Sequence, residues 1–351
     1  MRLKHRLFAA GFRAIGATRG DRWLRVLARG RGVILMFHHV RPWRPRNFAP
    51  NRLLEITPGF LDVVLTELRR EGFDIIPLDA VPGRLCPDCG GRPFAVLTFD
   101  DGYRDNVEHA LPVLKRYSAP WTLFVTTEFA EGHGRLWWLE LEEAIALLDR
   151  VVLAGDRCVL DLPSRTAREK EVAFETVYRR LRAGPEKHLR GVIADLARRG
   201  GVSGSLLNAE LCLSWDEIKM LAREPDVTIG AHTLSHPMLA KLDTTTAAHE
   251  IAGGKALLEQ RLGRPVKHLA YPIGDATSAG AREFRLAREA GFVTAVTSRP
   301  GHVFPDHAAY LHALPRVSIN GLFQSKAALR ALLSGVPFLA WNRGRVATIE
   351  T

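Results

Sequence analysis

The stretch Ala95-Val-Leu-Thr-Phe-Asp-Asp-Gly-Tyr-Arg104 decides how the chain is read. An apolar, β-branched run leads straight into two adjacent carboxylates and a glycine, the pattern of a buried strand ending in a turn. In parallel α/β barrels the carboxyl ends of the strands form the catalytic face, so Asp100 and Asp101 project where a substrate would sit. Successive residues near a strand end point in different directions, which lets one carboxylate bind a metal while its neighbour faces substrate. Asp-Asp-Gly is also an ordinary turn sequence, so this stretch does not decide the function alone.

A second strand end tips the balance. In Val227-Thr-Ile-Gly-Ala-His-Thr-Leu-Ser-His-Pro237 the histidines His232 and His236 stand four residues apart, a spacing that on one helical turn makes both imidazoles face the same way. Two imidazoles and one carboxylate leave positions open for water and substrate, as hydrolytic metal sites require, and suit zinc or another divalent transition metal.

Working outward, apolar β-branched runs alternate with helical patterns, the signature of a parallel sheet wound with helices. Strands are expected at Val33–Val40, Phe73–Leu78, Ala95–Asp100, Trp121–Thr127, Val227–His232, His268–Ile273, Phe292–Thr297 and Leu314–Ile319. That number suits a closed or nearly closed barrel. Between the fourth and fifth strands lies a long insertion, about 130–213, with helical patterns at Leu139–Leu148, Ala167–Leu181 and Lys187–Arg199; it reads as a helical cap. The division expected is a basic leader helix (1–31), a barrel with its insertion (32–335) and a tail (336–351).

Composition sets outer bounds. A length of 351 residues, 46% hydrophobic and 25% charged, suits one decorated barrel and excludes disordered and fibrous classes. Lys and Arg outnumber Asp and Glu by 49 to 38, giving +11, so anionic surfaces should be favoured. The chain has no basic stretch with interleaved aromatics and no zinc-finger spacing, so no nucleic-acid partner is expected. Nine basic residues between Arg2 and Arg31 sit among Leu3, Leu7, Phe8, Phe12 and Ile15 in a rough helical period. This segment either lies on an anionic membrane surface or packs on the barrel. Its longest apolar run is too short for a secretory signal, and no run reaches transmembrane length, so a cytoplasmic protein, peripheral at the inner membrane, is expected. Cys86-Pro-Asp-Cys89 has zinc-knuckle spacing, but no second pair follows, and Cys158 and Cys212 lie far apart.

Thr98-Phe-Asp-Asp-Gly102 and His232-Thr-Leu-Ser-His-Pro237 together resemble the first and second motifs of the polysaccharide deacetylase family, carbohydrate esterase family 4. Ile34–Val40 resembles its opening strand, Phe60–Leu78 its first helix and second strand, and Tyr271-Pro-Ile-Gly274 its third motif. The resemblance implies a distorted (β/α)7 barrel and a hydrolase that removes N-acetyl groups from an N-acetylhexosamine polysaccharide or chitooligosaccharide. It implies that Asp101, His232 and His236 hold a divalent metal, with zinc the first choice, that Asp100 is the general base, and that Tyr103, Tyr271 and Pro272 lie at the substrate or oxyanion position. Many members carry an arginine two residues before the proline of the third motif. Here that residue is Ala270, so Asp100 is expected to lack a charged orienter.

The family's general acid is a histidine on a late strand, for which His312 is available. His312 would precede its strand, however, at the end opposite the catalytic face. His38, at the carboxyl end of the first strand, matches a position that some exopolysaccharide deacetylases use, and it is the preferred acid. Two other readings stay open: a degenerate protein that grips glycan without hydrolysis, and an amidohydrolase of small amides.

Overall fold

The computed structural model describes residues 3–86, 90–153 and 160–342, with the side chains of residues 3–6 left out. Cys89, Cys158 and the end of the expected tail lie outside the described residues.

Eight strands carry the fold: β1 (Gly32–Phe37), β2 (Asp74–Ile75), β3 (Phe94–Phe99), β4 (Trp121–Val125), β5 (Val227–Ala231), β6 (His268–Ala270), β7 (Thr294–Pro300) and β8 (Leu314–Ser318). All pair in parallel, in the order β1-β8-β7-β6-β5-β4-β3, and β1 then pairs with β3 from Gly32↔Phe94 to Phe37↔Phe99. The ring therefore closes on seven strands, the expected (β/α)7-type barrel, with β2 added beside the start of β3.

The two-residue period of a strand splits each one between two apolar cores. Ile34, Phe94, Val96, Phe124, Ala270, Val296 and Leu314 fill the barrel interior, whereas Val33, Leu35, Ala95, Leu97 and Phe99 face the surrounding helices. Met36, His38, Thr98, Asp100 and Arg316 continue the inward parity toward the carboxyl ends. In this way β1, β3 and β8 deliver polar groups to the mouth of a closed, apolar barrel.

The insertion contains helices Trp137–Leu147, Ala167–Ala183, Glu186–Arg199 and Gly204–Leu211, together with an antiparallel hairpin, Arg150–Leu153 with Leu160–Pro163, that the sequence did not announce. A Thr166–Glu169 capping box starts the Ala167 helix. The core of the insertion runs on into Tyr103, Cys212 and Met238 at the barrel mouth, so the cap and the site share one apolar cluster.

The leader helix Leu3–Ala17 packs on the barrel rather than standing free. Phe8 stacks on Trp341 at 5.3 Å between centroids, and Phe12 meets Phe323 edge-on at 5.3 Å. Among the described residues no helix is long and apolar enough to cross a membrane.

Candidate active site

Asp100 and Asp101 follow β3 directly and diverge as expected. Asp101 has φ of 72°, a left-handed conformation that costs an ordinary residue energy and persists where its surroundings enforce it. That turn sends Asp101 toward His232 and His236 while Asp100 keeps the inward parity of its strand.

At Asp101, Oδ1 lies 3.4 Å from Nε2 of His232 and 3.3 Å from Nε2 of His236. All three side chains are buried, and their ligand atoms fall within 4.8 Å of one another. Asp101 Oδ1 has no hydrogen-bond partner among the described residues, an arrangement costly in a buried carboxylate unless something else satisfies it. The Nδ1 of His232 is engaged with the Ala270 carbonyl at 2.7 Å, which directs Nε2 toward Asp101, as for a metal-ligating imidazole with its second nitrogen fixed. The residues fit a divalent cation. Burial would raise the Asp101 pKa, but the two imidazoles hold it well below the usual carboxylate range.

The histidine loop is not the helical turn that the spacing suggested. After β5 the chain is irregular, with Thr233 at φ 67° and His236 at φ 60°. Hydrogen bonds from three directions hold it: Thr233 Oγ1 accepts from His236 N, Glu250 accepts from Leu234 N, Ser235 N and Ser235 Oγ, and Arg190 donates to the carbonyls of Ser235 and His236. Gly254 lets helix Thr244–Leu262 press against this loop, since a Cβ there would lie 2.7 Å from the Thr233 carbonyl carbon.

Asp100 has a charged orienter after all. Arg316 on β8, wholly buried, donates from both terminal nitrogens to the two oxygens of Asp100 at 2.7 Å each. Its remaining bonds go to Thr98 Oγ1 and the Thr297 carbonyl. Burial pushes the Asp100 pKa up, but the Arg316 charge and its hydrogen bonds outweigh it and keep the group ionised. The expectation drawn from Ala270 is thereby corrected: the small inward-facing residue on β6 is accompanied by an arginine on β8, inside the same interior.

His38 follows β1 and lines the same cleft as Asp100, Asp101, His232 and His236. Burial lowers its pKa, and the nearby Asp101 and Asp100 charges oppose that. His39 is committed elsewhere: Nδ1 meets Asp105 Oδ2 at 2.7 Å and the ring stacks on Tyr103 at 3.5 Å. Tyr103 is fully buried, so its side chain does not reach the cleft. The Tyr271 phenol turns away, donating to the His312 carbonyl at 2.8 Å and packing on Phe284. Pro272 is buried in the following loop, and the neighbouring Ile273 and Asp275 reach the cleft instead. His312 lies before β8, with Nε2 on the Phe292 carbonyl, away from the cluster.

The cleft encloses about 610 Å³ and runs from exposed Leu53 and Arg179 at its rim to buried Asp100. Trp137, Trp138, Phe174 and Tyr178 from the insertion form its aromatic wall.

Together these features define a parallel-barrel enzyme whose chemistry is gathered at the strand ends. The polysaccharide deacetylase profile matches residues 88–295, more than half of the sequence, so the chain belongs to the polysaccharide deacetylase family and is a hydrolase of that kind. The Streptococcus pyogenes deacetylase PplD, solved in complex with acetate, superposes with a TM-score of 0.55 at 18% identity, covering 83% of this chain and 92% of that one. IcaB from Ammonifex degensii gives 0.52 at 19%, covering 87% and 98%. A de-N-acetylase from Aggregatibacter actinomycetemcomitans gives 0.52 at 12%, covering 86% and 98%. At these identities the likeness is one of fold. No curated protein sequence matches the chain.

Proposed function

We propose that this chain is a divalent-metal-dependent N-deacetylase of an N-acetylhexosamine oligosaccharide or polysaccharide. The observation that carries the reading is the buried, unpartnered Asp101 Oδ1 faced by two imidazole nitrogens at the floor of an aromatic-walled cleft. Asp101, His232 and His236 would hold the metal, with zinc the first choice for two imidazoles and a carboxylate. Bound there, it would polarise the acetamide carbonyl and acidify water.

The protein's own groups supply the rest. Asp100, kept ionised and oriented by Arg316, accepts the proton of the attacking water. The main-chain N–H of Tyr103, which follows the Asp-Asp-Gly turn, is the oxyanion donor in this reading. His38 gives a proton to the departing sugar amine. The aromatic lining, of which Tyr178 is half-buried and Trp137, Trp138 and Phe174 are buried, suits the apolar face of a sugar ring, and an open rim favours a chain of sugars over a small amide. The oriented Asp100 argues against a protein that only grips glycan.

The test is acetate release from N-acetylglucosamine oligomers of increasing length, with and without chelator. Chelator-sensitive release that rises with length is expected; release only from small amides, or none at any length, would sink the proposal. Under the same reading His38→Ala should lose turnover on acetamides yet retain it on an acetyl ester whose leaving group needs no proton. Equal loss on both substrates would remove the acid role from His38.

A further inference from the structure

We propose that the barrel face opposite the catalytic cleft docks on an anionic lipid bilayer. Two short helical turns, Gly20–Trp23 and Arg25–Ala28, cover this region, and their apolar residues point outward: Trp23 is 79% exposed, Val26 86% and Leu27 68%. Their i, i+3, i+4 spacing gathers them on one side of the turns. Exposed apolar residues on soluble proteins are ordinarily scattered singly; here they form a ridge, while Phe8 and Phe12 of the preceding helix are packed on the barrel.

Beside the ridge, and sharing Val26 with it, is a cavity of about 270 Å³ lined by Arg25, Arg29, Arg31, Arg84 and Arg92. No acid lines it. Among the described residues Glu71 meets Arg25, and Arg84 and Arg92 share Asp74. Arg29 Nε is buried with no hydrogen-bond partner among the described residues. Guanidinium groups match phosphate oxygens in geometry as well as charge. A phosphate-bearing surface therefore fits the cavity, and the adjoining Trp, Val and Leu identify that surface as a bilayer: tryptophan is enriched where headgroups meet acyl chains. A nucleic acid would match the arginines but leave the ridge in water.

Arg31 immediately precedes β1 and Phe94 opens β3, so the docking face lies at the amino ends of the strands. The six residues of β1 span about 20 Å at the usual strand rise. Docked this way, the cleft opens away from the membrane and reaches glycan that extends from it, not sugar at the headgroups.

The test sediments the full-length protein with vesicles of phosphatidylcholine alone and of an equimolar mixture with phosphatidylglycerol, at low and high salt. Binding to the anionic vesicles alone, weakened by salt, is expected. Trp23→Glu combined with Leu27→Glu should reduce it by at least about tenfold, and Arg25→Ala by about fivefold. These side chains are exposed or only partly buried, so an unchanged melting temperature would separate lost docking from lost fold. Failure to sediment with anionic vesicles, or sedimentation indifferent to the double variant, overturns the proposal. So does a dimer that forms without lipid and disappears in the double variant, which would make a second copy the occupant of the ridge. No step depends on deacetylation: an inactive protein that binds vesicles leaves this proposal standing and removes the proposed function alone.

Discussion

The two halves of the candidate site are built by different means. Asp100 is fixed from within: Arg316 grips it bidentately, and Thr98 on the same strand also receives Arg316, all inside the closed ring of strands. The ligand half is fixed from without. His236 sits in an irregular, left-handed stretch clamped by Glu250 from a barrel helix and Arg190 from the insertion. Asp100 is therefore as rigid as the barrel, whereas the Asp101, His232 and His236 cluster depends on partners that can be removed one at a time without opening it.

The largest effect should come from Asp100→Asn, which leaves Arg316 an acceptor but takes away the base. Turnover should fall by about a hundred- to ten-thousand-fold with metal content unchanged by elemental analysis; near-normal acetate release would take Asp100 out of the chemistry. Arg316→Met tests the interior clamp itself. Leaving a buried carboxylate without its counter-charge should cost about 3–5 kcal/mol in urea unfolding, and Asp100→Asn in the same chain should restore part of it. If Arg316→Met is as stable as the parent, the clamp does not hold the base half.

Glu250→Gln addresses the outer half, where loss should be local. Metal affinity is expected to drop by about ten- to a hundredfold, the scale for groups that orient ligands, with little change in melting temperature. A large fall in stability with unaltered affinity would reverse the contrast. The smallest effect is expected at Glu217, which pairs with Arg104 beyond both halves. Hydrogen bonding to Arg104 holds its pKa at about 2. A depressed carboxylate pKa contributes stability above the ordinary carboxylate range and loses it as pH falls toward 2. Glu217→Gln should thus cost under about 1 kcal/mol at neutral pH, since the pair is partly exposed, and the difference from the parent should vanish in acid. A gap that persists at low pH would assign the effect to packing.

The barrel was legible because its eight apolar, β-branched runs each became a strand, and because strand-end carboxylates and histidines have few structural uses. Asp101, His232 and His236 were singled out that way and the fold brings them together, with His38 lining the same cleft. Arg316 was missed. Its signal, one arginine inside the apolar run Leu314-Pro-Arg-Val-Ser318, can be interpreted only once ring closure places β8 beside β1 and shows Ala270 and Arg316 in one interior. The family profile ends at residue 295, so that arginine lies outside the matched segment. The histidine loop was read as a helical turn because nothing in Thr233 or His236 advertises positive φ; packed neighbours impose it. Tyr271 was placed at the substrate by motif, but strand parity and the His312 carbonyl carry its ring outward.

The distance along the chain between Asp100 and Arg316 has a consequence for synthesis. The two are 216 residues apart, an interval that translation covers in roughly 10 to 40 seconds. Throughout that time the emerging polypeptide carries Asp100 without the arginine that pairs with it in the folded barrel. The ring, which β8 completes between β1 and β7, stays open until that strand has emerged, so Asp100 meets its counter-charge only near the end of synthesis.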